Sequence, residues 1–381
     1  MKICIISPYF TPFVKGSEHG LAQKLTEFDH DVTILTSTSN APREKMVIKK
    51  KYKEEYNFKV KYLASIDFYE NPIAPSVFLH VLRGKYDVVM LREDYPVMCH
   101  LAYLAARITN TPLTLSTDRT YSLSSFTLKG IFLKILDCTI NRIVRNNVDA
   151  YIAHCSSAKE FVIKKLKTNK DVKVIHIGVD TDFFKPVVTQ CIYLKEGEFK
   201  ILTIARLHQY KGLEYLIKAM TAVVKKHKDV KLYVKGKGPE EKHLKKMVEE
   251  LGLSKHVIFL KEAIPGDKLP EFYSECDLYV QPSIIEPFGI AVLEAMACGK
   301  PVVGSKTGGM LDTIVDGVTG FSVPPGNSEE LSRAIIKFID DRTLLMKIGE
   351  NARKEAQRYD WHVITRQYLN VMSEVLTHKS S

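Results

Sequence analysis

Two carboxylates, Glu286 and Glu294, stand eight residues apart, and two cations, Arg206 and Lys211, stand five apart in an earlier segment. Ile290 to Cys298 carries no polar side chain except Glu294, and Gly299 and Pro301 close the run, which predicts a short buried helix. An ionised carboxylate buried without donors costs several kcal/mol, so Glu294 must protonate, pair with a Lys or Arg, or meet a ligand rich in donors such as a vicinal diol. Glu286 precedes Pro287-Phe288-Gly289, a loop that opens directly into the helix and leaves the helix's first N–H groups free for an anion. Arg206 and Lys211 follow the apolar strand Ile201-Leu202-Thr203-Ile204. Read alone they are two surface cations, but a planar fork of donors and a mobile point charge just after a strand also suit a diphosphate. Hydroxyl acceptors beside an anion site fit a nucleotide bearing a sugar.

In this wording the Glu-x7-Glu segment resembles the retaining glycosyltransferases typified by glycogen and sucrose synthases and bacterial mannosyltransferases (group 1, family 4 type). Three further segments carry the resemblance. They are Ala205-Arg206-Leu207-His208-Gln209-Tyr210-Lys211-Gly212, the turn Ile175-His176-Ile177-Gly178-Val179-Asp180-Thr181-Asp182-Phe183-Phe184-Lys185-Pro186, and the loop Ser305-Lys306-Thr307-Gly308-Gly309. Together they span most of residues 150 to 326.

The resemblance implies an α/β chain of GT-B architecture, two doubly wound Rossmann-like domains facing each other across a cleft. It implies transfer of a hexose-type sugar from a nucleotide-diphosphate donor to a glycan, lipid-linked or small-molecule acceptor, with anomeric configuration retained. The acceptor attacks on the face that the leaving group vacates, and a phosphate oxygen takes its proton. By the same resemblance Arg206 and Lys211 neutralise the diphosphate, Glu294 accepts from the ribose hydroxyls and Glu286 contacts hydroxyls of the donor sugar. Main-chain N–H groups of Phe288, Gly289 and Ile290 help to hold sugar and phosphate. Gly16 heads a predicted helix, where its backbone can approach the diphosphate, although the family's glycine pair here reads Lys15-Gly16.

Two departures concern the acceptor side. A histidine expected after the strand Pro112 to Leu115 is replaced by Asp118, and histidines after the preceding strand by Met90-Leu91-Arg92. An Asp can bond a sugar hydroxyl as His does, but it adds negative charge beside a diphosphate unless Arg92 or Arg119 offsets it.

No metal or cofactor is expected. Asp180-Thr181-Asp182 matches an Asp-x-Asp metal motif only superficially, since Arg206 and Lys211 already supply positive charge. Gly236-Lys237-Gly238 begins like a dinucleotide fingerprint, but Glu241 holds the third glycine position. Two other readings share the architecture: a nucleotide-sugar epimerase, for which no convincing acid and base pair is found, and a catalytically silent nucleotide-sugar-binding protein.

The elements that must position these groups alternate along the chain. Lys2 to Ser7, Asp31 to Ser37, Tyr86 to Leu91 and Pro112 to Leu115 read as strands, with helices at Gly16 to Glu27 and Met98 to Ile108. The rhythm restarts with strand Phe199 to Ala205, helix Leu213 to His227, strand Lys231 to Lys235, helix Glu240 to Leu251, strand Val257 to Leu260, helix Lys268 to Ser274 and strand Leu278 to Gln281. Such alternation predicts two parallel sheets wrapped by helices. With 381 residues, 45% hydrophobic, the chain is expected to divide into residues 1–188 and 189–355, which the resemblance makes the acceptor side and the donor side. Trp361 to Leu376 reads as a helix, and the resemblance implies that this C-terminal segment, 356–381, crosses back onto the first domain.

Seven scattered cysteines without a Cys-x-x-Cys pair, and no apolar run of membrane-spanning length, lead us to expect a cytoplasmic protein with reduced thiols. The net charge of +11 attracts an anionic partner, but the lysines lack any nucleic-acid-binding pattern, so no nucleic acid is expected. In Phe132 to Arg145, the residues Phe132, Leu133, Leu136, Ile140, Ile143 and Val144 form one helical stripe, with Lys134, Arg142 and Arg145 outside it. The stripe is expected to face the core, with peripheral docking at an anionic membrane as the alternative.

Overall fold

A computed structural model describes residues 1–10, 16–38, 56–68, 71–121, 128–194 and 199–380. The chain forms two compact units, Met1–Gly178 with Trp361–Ser381, and Val179–Asp360.

The first unit holds strands β1 (Lys2–Ile6), β2 (Asp31–Ser37), β3 (Lys59–Leu63), β4 (Ile66–Phe68), β5 (Asn71–Ile73), β6 (Val88–Arg92), β7 (Leu113–Thr117), β8 (Ala150–Ala153) and β9 (Val172–Val174). Among the described residues, seven of these make a parallel sheet in the order β3-β2-β1-β6-β7-β8-β9, while β4 and β5 form a small antiparallel pair. Ile3, Cys4, Ile5 and Ile6 are wholly buried, as both faces of a central parallel strand must be when helices cover the sheet. From β1 the chain winds outward to β2 and β3, then returns to start the other half at β6. The order reverses between β1 and β6, the kind of crevice where ligands of parallel sheets bind.

Trp361 anchors the helix Trp361–Ser380 to this unit. Its indole lies against Gly20 and Gly178, so close that a Cβ on Gly20 would stand 2.1 Å from the ring nitrogen.

The second unit holds β10 (Phe199–Ile204), β11 (Val230–Lys235), β12 (Val257–Leu260), β13 (Leu278–Gln281), β14 (Val302–Ser305) and β15 (Gly320–Val323). They form a parallel sheet in the order β12-β11-β10-β13-β14-β15. Ile201, Leu232, Leu278 and Val303 from four of the strands pack with Leu216, Met220, Ile335 and Phe338 from the helices to make its core. Here the order reverses between β10 and β13, so the loops after those two strands flank the crevice.

The units divide at Gly178, ahead of the break that Pro186 and the following polar residues led us to place after residue 188. The intervening residues are held by the second unit. Arg353 donates to the carbonyls of Phe184 (2.7 Å) and Thr181 (2.8 Å), and the Thr181 hydroxyl donates to Asp360 (2.6 Å). Residues Lys15 and 195–198 lie outside the described residues.

Candidate active site

The loop after β10 carries Arg206 and ends in a short 3-10 turn, Gln209–Lys211. The loop after β13 carries Glu286. Their backbones are joined, because the carbonyl of Tyr210 accepts from the N–H groups of Ile284 (2.9 Å) and Ile285 (3.1 Å). That junction brings Lys211 Nζ to 2.7 Å from Glu286 Oε2, with both side chains nearly buried.

Two more donors converge on the same carboxylate oxygen: the Ser283 hydroxyl at 2.9 Å and the Gln281 amide at 3.3 Å. Tyr279 sets their direction, donating from its hydroxyl to Gln281 Oε1 (2.8 Å) and so turning the amide nitrogen toward Ser283 (2.8 Å) and Glu286. Arg206 is exposed and, among the described residues, has no carboxylate partner. Its guanidinium stands 5.8 Å from the centre of the Tyr210 ring, and Lys211 Nζ 5.5 Å from the same ring. Both cations therefore flank one tyrosine.

Glu294 lies in the helix Ile290–Ala297. Gly289 precedes that helix at φ +94°, and no side chain caps it, which leaves first-turn N–H groups for a ligand. Among the described residues no Lys or Arg meets Glu294; the Tyr273 hydroxyl donates to its Oε2 at 2.6 Å. Burial pushes the Glu294 carboxyl up to about 7, against the lowering effect of that hydrogen bond. Of the three fates open to Glu294, burial thus favours protonation. Phe288 is buried beneath the loop, and Gly309 N–H donates to the Pro287 carbonyl at 3.1 Å. Gly308, at φ +53°, lets the loop after β14 press on this one, since a Cβ there would lie 1.5 Å from the Glu286 carbonyl oxygen.

In the first unit Gly16 precedes the helix Ser17–Glu27 with φ −80° and ψ −176°. Extended backbone of this kind does not itself demand glycine. The helix's first turn is held by Arg92, which donates to Glu18 (3.0 Å) and Ser17 (2.9 Å). Arg92 also donates to Ser116 (3.1 Å) and to Nε2 of His154 (2.5 Å). Burial and the neighbouring guanidinium hold His154 well below the usual histidine range, so the ring is neutral and its Nδ1–H faces the Ile175 carbonyl.

Asp118 follows β7. Neither arginine considered for offsetting its charge contacts it: Arg92 is committed to Glu18, and Arg119 makes two bonds to Asp137 (2.9 and 2.6 Å). Its backbone N–H instead donates to Glu93 Oε1 (2.8 Å), while the Thr117 hydroxyl donates to Glu93 Oε2 (2.7 Å). Burial, with Asp118 and Asp94 close by, holds the Glu93 carboxyl well above the usual range. No motif or spacing singles out Glu93, which sits at φ +70°.

The segment read as one stripe from Phe132 to Arg145 is corrected here. It is two helices, Leu128–Cys138 and Ile140–Asn147, broken at Thr139. Arg145 is wholly buried, whereas Ile140 and Ile143 are exposed; the side chains of Phe132 and Leu133 lie outside the described residues. Arg145 is drawn inward by an ion pair with Asp94 and a 2.6 Å bond to the Asp137 carbonyl.

Two Rossmann-like units, with cations and carboxylates gathered where the second sheet reverses, define a GT-B glycosyltransferase. The profile described as Glycosyl transferases group 1 matches residues 191–355, and that described as Glycosyltransferase Family 4 matches residues 19–183. The chain belongs to the group 1 glycosyltransferases. An uncharacterized glycosyltransferase of Methanocaldococcus jannaschii is 35% identical over 225 residues, covering 56% of this chain and 57% of that protein. The phosphatidyl-myo-inositol mannosyltransferase of Mycobacterium leprae is 29% identical over 315 residues, 81% of this chain and 79% of the other. Among solved structures, HepE of Anabaena in complex with UDP superimposes with a TM-score of 0.78 at 25% identity, covering 98% of this chain and 100% of that one.

Proposed function

We propose that this glycosyltransferase is retaining and metal-independent, moving a hexose-type sugar from a nucleotide-diphosphate donor to a lipid-linked or glycan acceptor. The observation that carries the reading is the meeting of Lys211 and Glu286, with Arg206 on the same loop, at the reversal point of the second sheet. HepE was solved with UDP and also with UDP-glucose, which supports a donor of that kind, and the mycobacterial relative's name supports a lipid acceptor.

The chemistry follows from charge. As the acceptor oxygen bonds to C1, the bond from C1 to the diphosphate oxygen breaks, and the acceptor's proton passes to a phosphate oxygen. Negative charge grows on the leaving group, and Arg206 and Lys211 are assigned to stabilise it. Glu294 accepts from ribose hydroxyls, and Glu286 orients the sugar. Main-chain groups at Phe288, Gly289 and Ile290 support both. Asp180 Oδ1 accepts from the N–H groups of Asp182 (3.2 Å) and Phe183 (2.9 Å), which gives this carboxylate a role in the turn. We place Gly16 near the diphosphate and Asp118 on the acceptor side. We place the enzyme in the cytoplasm, where free thiols such as its seven cysteines persist.

A thermal-shift panel of nucleoside diphosphates tests the donor, since a ligand binding only the folded state raises apparent stability. Lys211→Ala and Arg206→Ala should weaken the shift far more than Glu286→Ala, which should mainly lower turnover. Equal shifts for all three would refute these roles. Labelled donors incubated with lipid extract, with and without a chelator, distinguish transfer from epimerisation or silent binding. The product's anomeric configuration tests retention.

A further inference from the structure

The helices Leu128–Cys138 and Ile140–Asn147 expose apolar side chains that a folded core would be expected to hide. Ile131, Ile135, Ile140 and Ile143 are 48, 56, 39 and 55% exposed, and Lys134 and Arg142 are exposed among them. Single exposed isoleucines are ordinary, but four on two successive helices mark an interaction surface.

Charge indicates what covers it. The acidic residue of these helices, Asp137, is taken up by Arg119, and the buried Arg145 is paired with Asp94. The charge left facing solvent here is positive. The helix Val97–Ile108, which packs beside Ile140–Asn147, contains no acidic residue and adds exposed Leu104, Arg107 and Ile108. Among the described residues no helix is long and apolar enough to cross a membrane. Isoleucines at headgroup depth with cations reaching the phosphates are the composition of a helix that lies on a bilayer.

We infer that this face of the first unit docks on an anionic lipid bilayer, with Ile131, Ile135, Ile140 and Ile143 entering the interface and Lys134 and Arg142 meeting lipid phosphates. The inference deepens the lipid-acceptor reading: it supplies a surface on which a lipid-linked acceptor is presented to the first unit.

The test is flotation of the full chain with vesicles of phosphatidylcholine alone, or of equal parts phosphatidylcholine and phosphatidylglycerol. Binding is expected to the anionic vesicles, weakened by about 0.5 M salt. Lys134→Gln/Arg142→Gln should bind about 30-fold less, at about fivefold per lost cation. Ile135→Ser/Ile143→Ser should also lose binding. Lys225→Gln/Lys228→Gln removes the same charge from the second unit and should bind like the parent. Absent binding to anionic vesicles, or equal losses in the face and control variants, would overturn the inference. So would a dimer by light scattering that the isoleucine variant dissociates, because the face would then join two copies of the chain. No donor or acceptor is needed for flotation, so its failure would leave the donor thermal shift intact, and failure of that shift would leave the docking result standing.

Discussion

Lys211 Nζ and Glu286 Oε2 are 2.7 Å apart, each side chain about one-tenth exposed, so the cation and the carboxylate satisfy one another. In the proposed donor complex a diphosphate would compete for Lys211. When it wins, one of three donors leaves Glu286, and the carboxylate can take a sugar hydroxyl in its place. Lys211→Met should therefore cost about 2 kcal/mol of donor-free stability in urea unfolding, less than a fully unpaired buried charge because Ser283 and Gln281 remain. Adding Glu286→Gln should recover much of that loss. A double-mutant cycle with strictly additive effects would show that the pair is not coupled.

Glu294 makes stability depend on pH. Its folded-state value of about 7 lies above the ordinary 4.5, so between those limits the folded chain keeps a proton that the unfolded chain has released. Stability should fall by up to about 3 kcal/mol as pH rises from 4.5 to 7 and level off above. Glu294→Gln should remove that contribution, which unfolding curves at several pH values would measure. If Glu294 accepts from ribose hydroxyls as proposed, they favour its charged form, so nucleoside diphosphate binding should tighten as pH rises through 7 and release a proton. Calorimetry in buffers of different ionisation enthalpy reads this directly.

Gly308→Ala combines a left-handed φ of +53° with a Cβ placed 1.5 Å from the Glu286 carbonyl oxygen. We expect a loss well beyond the roughly 1–2 kcal/mol of left-handed backbone alone, together with loss of donor binding. Gly317→Ala is the comparison: φ is +73° there, but nothing lies within 4 Å of the added carbon. Similar losses in chemical denaturation would mean that the loop yields to Gly308→Ala without cost.

Arg145→Ala would strand Asp94, which is 2% exposed, and should cost about 3–5 kcal/mol of first-unit stability. Arg145→Lys should recover only part, because Asp94 and the Asp137 carbonyl are reached by two different guanidinium nitrogens, a spread that one ammonium nitrogen does not reproduce. Full recovery by lysine, followed by unfolding fluorescence, would contradict that geometry.

Local pattern made much of the second unit legible. The apolar run around Glu294 predicts a helix over 290–298, and the structure forms Ile290–Ala297; strands such as Val257–Leu260 and Leu278–Gln281 coincide with their β-branched runs. The partners of those residues were not legible, because they arise from chain pairing at a distance. Nothing near Glu294 announces Tyr273, twenty-one positions earlier, and Gln281 and Ser283 reach Glu286 only through the turn after β13. The stripe at 132–145 failed for a different reason. Helical phase was carried through Thr139, where φ −117° and ψ −105° interrupt the helix and reset which side chains face inward.

The indole of Trp361 lies on Gly20 and Gly178, so the first unit is closed by residues that follow the whole of the second. During synthesis, Val179–Asp360 can acquire all of its own strands and helices while the amino-terminal sheet still lacks its final packing helix. A chain cut after Asp360 would thus keep every strand and helix of Val179–Asp360 while leaving Gly20 and Gly178 without the indole that covers them.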